Sequence, residues 1–188
     1  CVFLQWLMPT PLLPSVPITR RQAGLWLTLG GLGSGVQAQT ASEAALEARA
    51  PALPAIGSVL QVPDITLLDG TAFRAPTQQP LLVYWWSSTC PFCALQSPSM
   101  QALWQSQRQR GLKMVALSID KSAEDARAYL LKRGYTFPAA WASPQWRSQF
   151  PKPKGLPITL LLDGQRKVVL AEKGQMFAED VEAIAQRI

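Results

Sequence analysis

The sequence predicts an α/β fold: a central mixed β-sheet flanked by helices, with a β-hairpin extension on its N-terminal side. Two kinds of observation carry that expectation. Near-continuous apolar runs at Leu81–Trp86 and Lys113–Ile119 read as buried parallel strands, and a helical pattern lies between them. Asp69-Gly70 and Asp163-Gly164 each stand between short apolar stretches, which marks an antiparallel hairpin near either end of the domain. Helical crossovers make the strands they join parallel and tight turns make them antiparallel, so the sheet is mixed.

Residues 1–38 read as an export-signal region. The chain begins on Cys1, and the expectation is a fragment or an over-extended reading frame with Met8 as the candidate start. Pro9, Pro11, Pro14 and Pro17 deny regular structure to the stretch after Met8. Arg20-Arg21 then precede the apolar run Ala23–Val36, and Val36-Gln37-Ala38 offers small residues for cleavage. At about 14 residues the run is shorter than the ~20 a bilayer requires. The reading is therefore export to the periplasm, with an uncleaved membrane anchor facing the periplasm as the alternative. Thr19-Arg20-Arg21 is also similar to a twin-arginine signal, but Ala23-Gly24 replaces the usual bulky apolar pair. Residues 39–53 read as a flexible linker, with room for a short helix near Ser42 to Arg49.

Residues 54–188 carry the folded domain. Asp64–Leu68 and Thr71–Phe73 form the first hairpin, and Leu81–Trp86 the central strand. The helix after Cys90 puts Cys93, Met100, Leu103 and Trp104 on one face and stops near Gly111. Ser122 caps a second helix that runs to Arg133, with Ala126, Tyr129 and Leu130 inward and Gly134 as its stop. Phe137–Trp141 is a short strand, and Ser143-Pro144 starts a brief helix through Phe150. Pro151–Gly155 reads as a stiff exposed loop with solvated lysines. Leu156–Leu162 and Lys167–Ala171 make the second hairpin, and Ala178–Ile188 closes the chain as an amphipathic helix.

Composition excludes several function classes. At 48% apolar and 16% charged the chain is globular, and its net charge of +6 is mild. No basic stripe interleaved with aromatics appears, so no nucleic-acid partner is expected. With no histidine, Cys–His and Ser–His–Asp nucleophiles and histidine-bearing metal sites are excluded. Zinc would need two ligands beyond Cys90 and Cys93, and Cys1 is the one cysteine left. No metal or cofactor is expected.

The chemistry-bearing stretch is Trp86-Ser87-Ser88-Thr89-Cys90-Pro91-Phe92-Cys93, a C-x-x-C pair set where a strand turns into a helix. That order suits thiol–disulfide exchange. Cys90 falls at the helix N-terminus, where free backbone N–H groups and the helix dipole favour a thiolate, the attacking species. Cys93 lies one turn on, within reach to resolve a mixed disulfide. Pro91 suits a first turn, since its missing N–H was unpaired in any case. A purely structural disulfide would close too small a loop to remove much unfolded-state entropy. Trp86 and Phe92 either line an apolar rim around the sulfurs or pack in the core; the sequence leaves both open.

Together with Pro98 and Gly155-Leu156-Pro157-Ile158-Thr159, this motif resembles the TlpA/ResA group of thioredoxin-like thiol–disulfide oxidoreductases, over roughly Pro54–Ile188. The resemblance implies a thioredoxin-like fold. It also implies a cis Pro157 facing the cysteines, with Leu156–Pro157 exposing backbone on which a substrate chain pairs. The implied partners are protein disulfide or dithiol substrates, a membrane thiol electron donor and, as one substrate, apocytochrome c. Two departures stand out. Gln96 occupies the position one turn after Cys93 where relatives often carry an acid, and Tyr84 stands where thioredoxins bury one. A water or the substrate must then accept the proton of Cys93. Pro91-Phe92 also resembles the Pro-aromatic pairs of oxidising relatives, so a reductant is expected with an oxidant as the alternative. A thiol peroxidase fits less well: Trp85 stands where a proline is expected, Pro80 is too far, and no arginine is nearby in sequence. A metal chaperone of the C-x-x-x-C type lacks its spacing and its histidine.

Overall fold

The computed structural model describes residues 44–188. The export-signal reading and the start of the linker lie outside the described residues. Among the described residues, no helix is long and apolar enough to cross a membrane.

Among the described residues, five strands form the main sheet, in the order β5 (Ala139–Trp141), β4 (Lys113–Ser118), β3 (Leu81–Trp86), β6 (Ile158–Leu162) and β7 (Val168–Lys173). The central β3 runs parallel to β4, and β4 parallel to β5. On its other side β3 pairs antiparallel with β6, which turns back into β7. The crossovers are α1 (Pro91–Gln107) and α2 (Ala123–Arg133). After β5 comes the short α3 (Pro144–Arg147), and α4 (Ala178–Ala183) closes the chain with a 3-10 turn over Ile184–Arg187. This is the expected mixed sheet covered by helices. The final helix is tighter at its end than its periodicity predicts, though Val181 and Ile184 are buried as expected.

Every residue of β3 is buried, because both faces of the sheet are covered. Alternation sorts them. Leu82, Tyr84 and Trp86 join Met114, Ala116, Met100 and Cys93 in one core. Leu81, Val83 and Trp85 join Val115, Leu117 and Phe150 in the other. The cysteine pair therefore sits on the side of Tyr84 and Trp86.

The first hairpin, β1 (Ile65–Thr66) with β2 (Ala72–Phe73), is a separate two-stranded sheet. Its chain continues onto the main sheet: Leu67 bridges Ala140, and the Leu68 N–H donates to the Ala139 carbonyl at 2.7 Å. The hairpin thus covers part of the β5 edge, which would otherwise offer unpaired backbone to another chain. At the second hairpin turn, a Cβ on Gly164 would lie 2.9 Å from the Gln78 carbonyl carbon, so only glycine fits that approach.

The expectation of solvated lysines in Pro151–Gly155 is corrected at Lys152. This residue is buried, and its ammonium donates to the carbonyls of Pro153 and Gly155 and pairs with Glu47 at 2.8 Å. Glu47 lies on a helical segment over 44–48 and also accepts the Gly155 N–H at 2.6 Å. Burial works against ionising Glu47, but the Lys152 hydrogen bond, the Gly155 N–H and the charges of Lys152 and Lys154 prevail and lower its pKa. A lysine is rarely buried unless paired, and its partner in this fold is more than a hundred residues away in the sequence.

Candidate active site

The active-site loop is built by the end of β3. Ser87 follows Trp86, Ser88 and Thr89 make the turn, and Cys90 takes the N-cap position of α1 with extended backbone (φ −84°, ψ 114°). Pro91 then fills the first helical turn. The Cys90 N–H donates to the Ser87 carbonyl at 3.2 Å, and the Cys90 sulfur accepts the Cys93 N–H at 3.2 Å. A side-chain oxygen at this position ordinarily caps a helix; here a sulfur does so, at the positive end of the helix dipole.

Both cysteines are free thiols, and they differ in exposure. Cys90 is partly open to solvent while Cys93 is 1% exposed. Burial pushes the Cys93 thiol far above the ordinary cysteine range. Its hydrogen bond to Cys90 adds to that, a backbone hydrogen bond from Ser87 opposes it, and the charges of Cys90 and Asp120 add further. The partly open sulfur is placed to attack, and the buried one keeps its proton. The same asymmetry affects stability. When a thiol's pKa is higher folded than unfolded, the folded state holds its proton after the unfolded state has lost it. The reduced protein should therefore lose stability as pH rises above about 8.5, the free-cysteine value. Urea midpoints across pH 7 to 10 test this. The Cys93→Ala protein is expected to show a shallower decline.

The residues standing in for family acids are both buried and neutral. Gln96 donates to the Thr159 hydroxyl at 2.9 Å and accepts the Met176 N–H at 2.8 Å, which ties α1 to β6 and to the segment before α4. The Tyr84 hydroxyl lies 3.1 Å from the Ser97 hydroxyl and 3.3 Å from the Cys93 carbonyl oxygen. Burial above all raises the Tyr84 pKa well above its usual value, so it remains a phenol. Neither residue is a ready proton acceptor.

Sequence reading missed Asp120. It lies just after β4, is 7% exposed, and its carboxylate reaches under the active-site loop. Oδ1 accepts from the Ser87 hydroxyl (2.7 Å), the Ser88 N–H (2.8 Å) and the Ser88 hydroxyl (2.9 Å); Oδ2 accepts from the Ser118 hydroxyl (2.8 Å). The available signal was Ser87-Ser88 before the cysteines and an aspartate ending an apolar strand.

The remaining site candidates divide. Trp86 is fully buried, with its ring 5.5 Å from that of Tyr129, so it packs in the core and does not form an open rim. Phe92 is 56% exposed beside Cys90. The Leu156–Pro157 bond is cis. Pro157 is buried, and half-buried Leu156 packs on the core that holds Cys93 and is flanked by Cys90. Clefts of about 560 and 470 Å³ border the first hairpin, and neither is lined by a cysteine. Among the described residues, no group of three or more cysteine, aspartate or glutamate side chains is placed to hold a metal.

A mixed sheet with a dithiol at the start of the helix after its central strand is the framework of a thioredoxin-like oxidoreductase. A model of the AhpC/TSA family matches residues 60–179, and the chain belongs to that family. No curated protein was found to match it. Solved structures agree on the fold. A thiol:disulfide interchange protein of the thioredoxin family from Chlorobium tepidum superposes with a TM-score of 0.64 at 18% identity, covering 71% of this chain and 97% of that one. A second Chlorobium tepidum protein, provisionally described as a thiol:disulfide interchange protein DsbE, gives 0.59 at 25% identity, covering 71% and 96%. A secreted Mycobacterium tuberculosis disulfide oxidoreductase gives 0.58 at 14% identity, covering 68% and 96%.

Proposed function

We propose that the protein is an exported thiol–disulfide oxidoreductase that reduces disulfides of protein substrates through Cys90 and Cys93. The observation that supports this most is the asymmetry of the pair: a partly exposed sulfur at a helix N-terminus above a buried thiol that holds its proton. Cys90 as thiolate attacks one sulfur of a substrate disulfide, forming a Cys90–substrate disulfide and releasing the other substrate sulfur as a thiolate. Cys93 then gives up its proton and attacks the Cys90 sulfur. The second substrate thiol leaves, and a Cys90–Cys93 disulfide remains. Two electrons pass to the substrate; Cys93 supplies one proton, and water supplies the other, replacing the one Cys90 lost on ionising. Gln96 and Tyr84 offer no carboxylate, so a water or the departing substrate thiolate is the acceptor for the Cys93 proton.

Phe92, Leu156 and Pro157 form the substrate-contacting surface in this reading. A membrane thiol donor returns the protein to its dithiol form, and apocytochrome c is one substrate class. Export of residues 39–188 rests on the signal pattern in 1–38, and a secreted similar structure is in keeping with it. The test is insulin disulfide reduction by the full chain with dithiothreitol, run beside peroxide consumption. Insulin reduction that depends on both cysteines supports the reading; peroxide turnover without it supports the thiol peroxidase alternative.

A further inference from the structure

Leu156 and Pro157, which the exchange reading gives to the substrate, end a stretch over 148–157 that has no helix or strand. Downstream the sheet anchors them: the Gly174 N–H donates to the Pro157 carbonyl at 2.9 Å, and Ile158 enters β6 opposite Trp85. Upstream the chain is poor in donors, because Pro151 and Pro153 have no N–H. Anchors come instead from residues 47–51, more than a hundred positions earlier. The Lys154 N–H donates to the Pro51 carbonyl at 3.0 Å, and the Gly155 N–H donates to Glu47 Oε1 at 2.6 Å. Glu47 Oε2 holds the Lys152 ammonium at 2.8 Å, and that ammonium donates to the Pro153 and Gly155 carbonyls at 2.8 and 2.9 Å. All three ammonium protons thus have an acceptor, and both carboxylate oxygens have a donor.

Resting on the exchange reading, we propose that Glu47 and Lys152 are positioning residues, a clasp that holds the Leu156–Pro157 backbone in place for a polypeptide substrate. The clasp acts on where a substrate chain lies, not on how a sulfur reacts. Lys152 is buried, so its charge is stable there only beside a counter-charge. Without Glu47 the ammonium is drawn toward water, and the carbonyls of Pro153 and Gly155 lose their shared donor in the same step. The Gly155 N–H loses its acceptor as well. Backbone on the upstream side of Leu156 is then free to shift. A substrate chain that lies along Leu156 and Pro157 while Cys90 attacks its disulfide is sensitive to such a shift. A small disulfide with no peptide backbone is not.

The experiment mixes the pre-reduced full chain with insulin or with bis(2-hydroxyethyl) disulfide, quenches with acid, and follows the loss of the two thiols by mass. Glu47→Ala is expected to lower the insulin rate about tenfold relative to the small-disulfide rate, the scale of one charge-assisted hydrogen bond. Lys152→Met should lower that ratio by a similar factor, and the double variant should add little, because the pair acts as a unit. Trp85→Phe weakens packing on the far face of the sheet and should keep the ratio. A merely structural role lowers both rates with the folded fraction and leaves the ratio unchanged. The proposal is overturned if Glu47→Ala leaves the ratio within about twofold, the scatter expected of independent sites. It is also overturned if the two losses multiply in the double variant, or if Trp85→Phe lowers the ratio as much. If Glu47→Ala fails to fold, Glu47→Gln, which keeps an acceptor and drops the charge, decides by the same ratio. An unsubstituted chain inert to both disulfides removes the exchange reading and the role of the clasp with it; an active chain whose ratio does not respond removes the clasp alone.

Discussion

Cys93→Ser is expected to turn the protein into a trap. Cys90 still attacks a substrate disulfide, but nothing within the protein resolves the product, so covalent Cys90–substrate species accumulate and turnover stops. Cys90→Ser removes the attacking sulfur and leaves a buried thiol at 1% exposure, so no adduct forms. Either change should lower insulin reduction by roughly three orders of magnitude or more, the scale seen when one member of a nucleophilic unit is lost. Non-reducing gels and mass spectrometry read the adducts, and the contrast between the variants assigns the roles. Adducts on Cys93 in the Cys90→Ser protein would reverse the assignment.

The largest effect on stability is expected at Trp85, on the face of the sheet away from the cysteines. It is fully buried, stacked on Phe150 at 5.9 Å between ring centroids and 6.1 Å from Trp146. Trp85→Ala empties that space and should cost about 3–5 kcal/mol. Against a total stability of about 5–15 kcal/mol for a domain, that is severe. Trp85→Phe retains part of the stack and should cost less. Urea unfolding followed by circular dichroism measures both. Because Trp85 lies across the sheet from Cys93, the fraction of Trp85→Phe that remains folded should keep its exchange activity.

The fold was legible where local pattern and tertiary environment agree. Leu81–Trp86 reads as a strand covered on both faces because nothing in it is polar enough to face water. Ser122 and Gly134 mark the limits of α2 by cap chemistry alone, and the helix runs Ala123–Arg133 with Gly134 left-handed at φ 68°. Cys90 and Cys93 were visible for the same reason: their geometry is fixed within four residues of one helix. The residues missed depend on distant partners. Lys152 looks solvated until Glu47 folds onto it, and Asp120 looks like a strand end until Ser87 and Ser88 reach it from 33 and 32 residues away in sequence. Trp86 was decidable from parity, since it shares a face with Leu82 and Tyr84, the side that α1 covers. The place of an aromatic beside a motif says less than its place in the alternation.

The central claim is that Cys90 and Cys93 form one reversible two-electron couple, and redox equilibration tests it most directly. The full chain is equilibrated against thiol buffers of graded potential, quenched with acid, and its Cys90 and Cys93 peptides are weighed. The account predicts a single transition in which both thiols disappear together, at a potential toward the thioredoxin value of about −270 mV. A transition near −120 mV would keep the couple and reverse the direction of electron flow. If no reversible Cys90–Cys93 disulfide forms at any potential, the claim is contradicted.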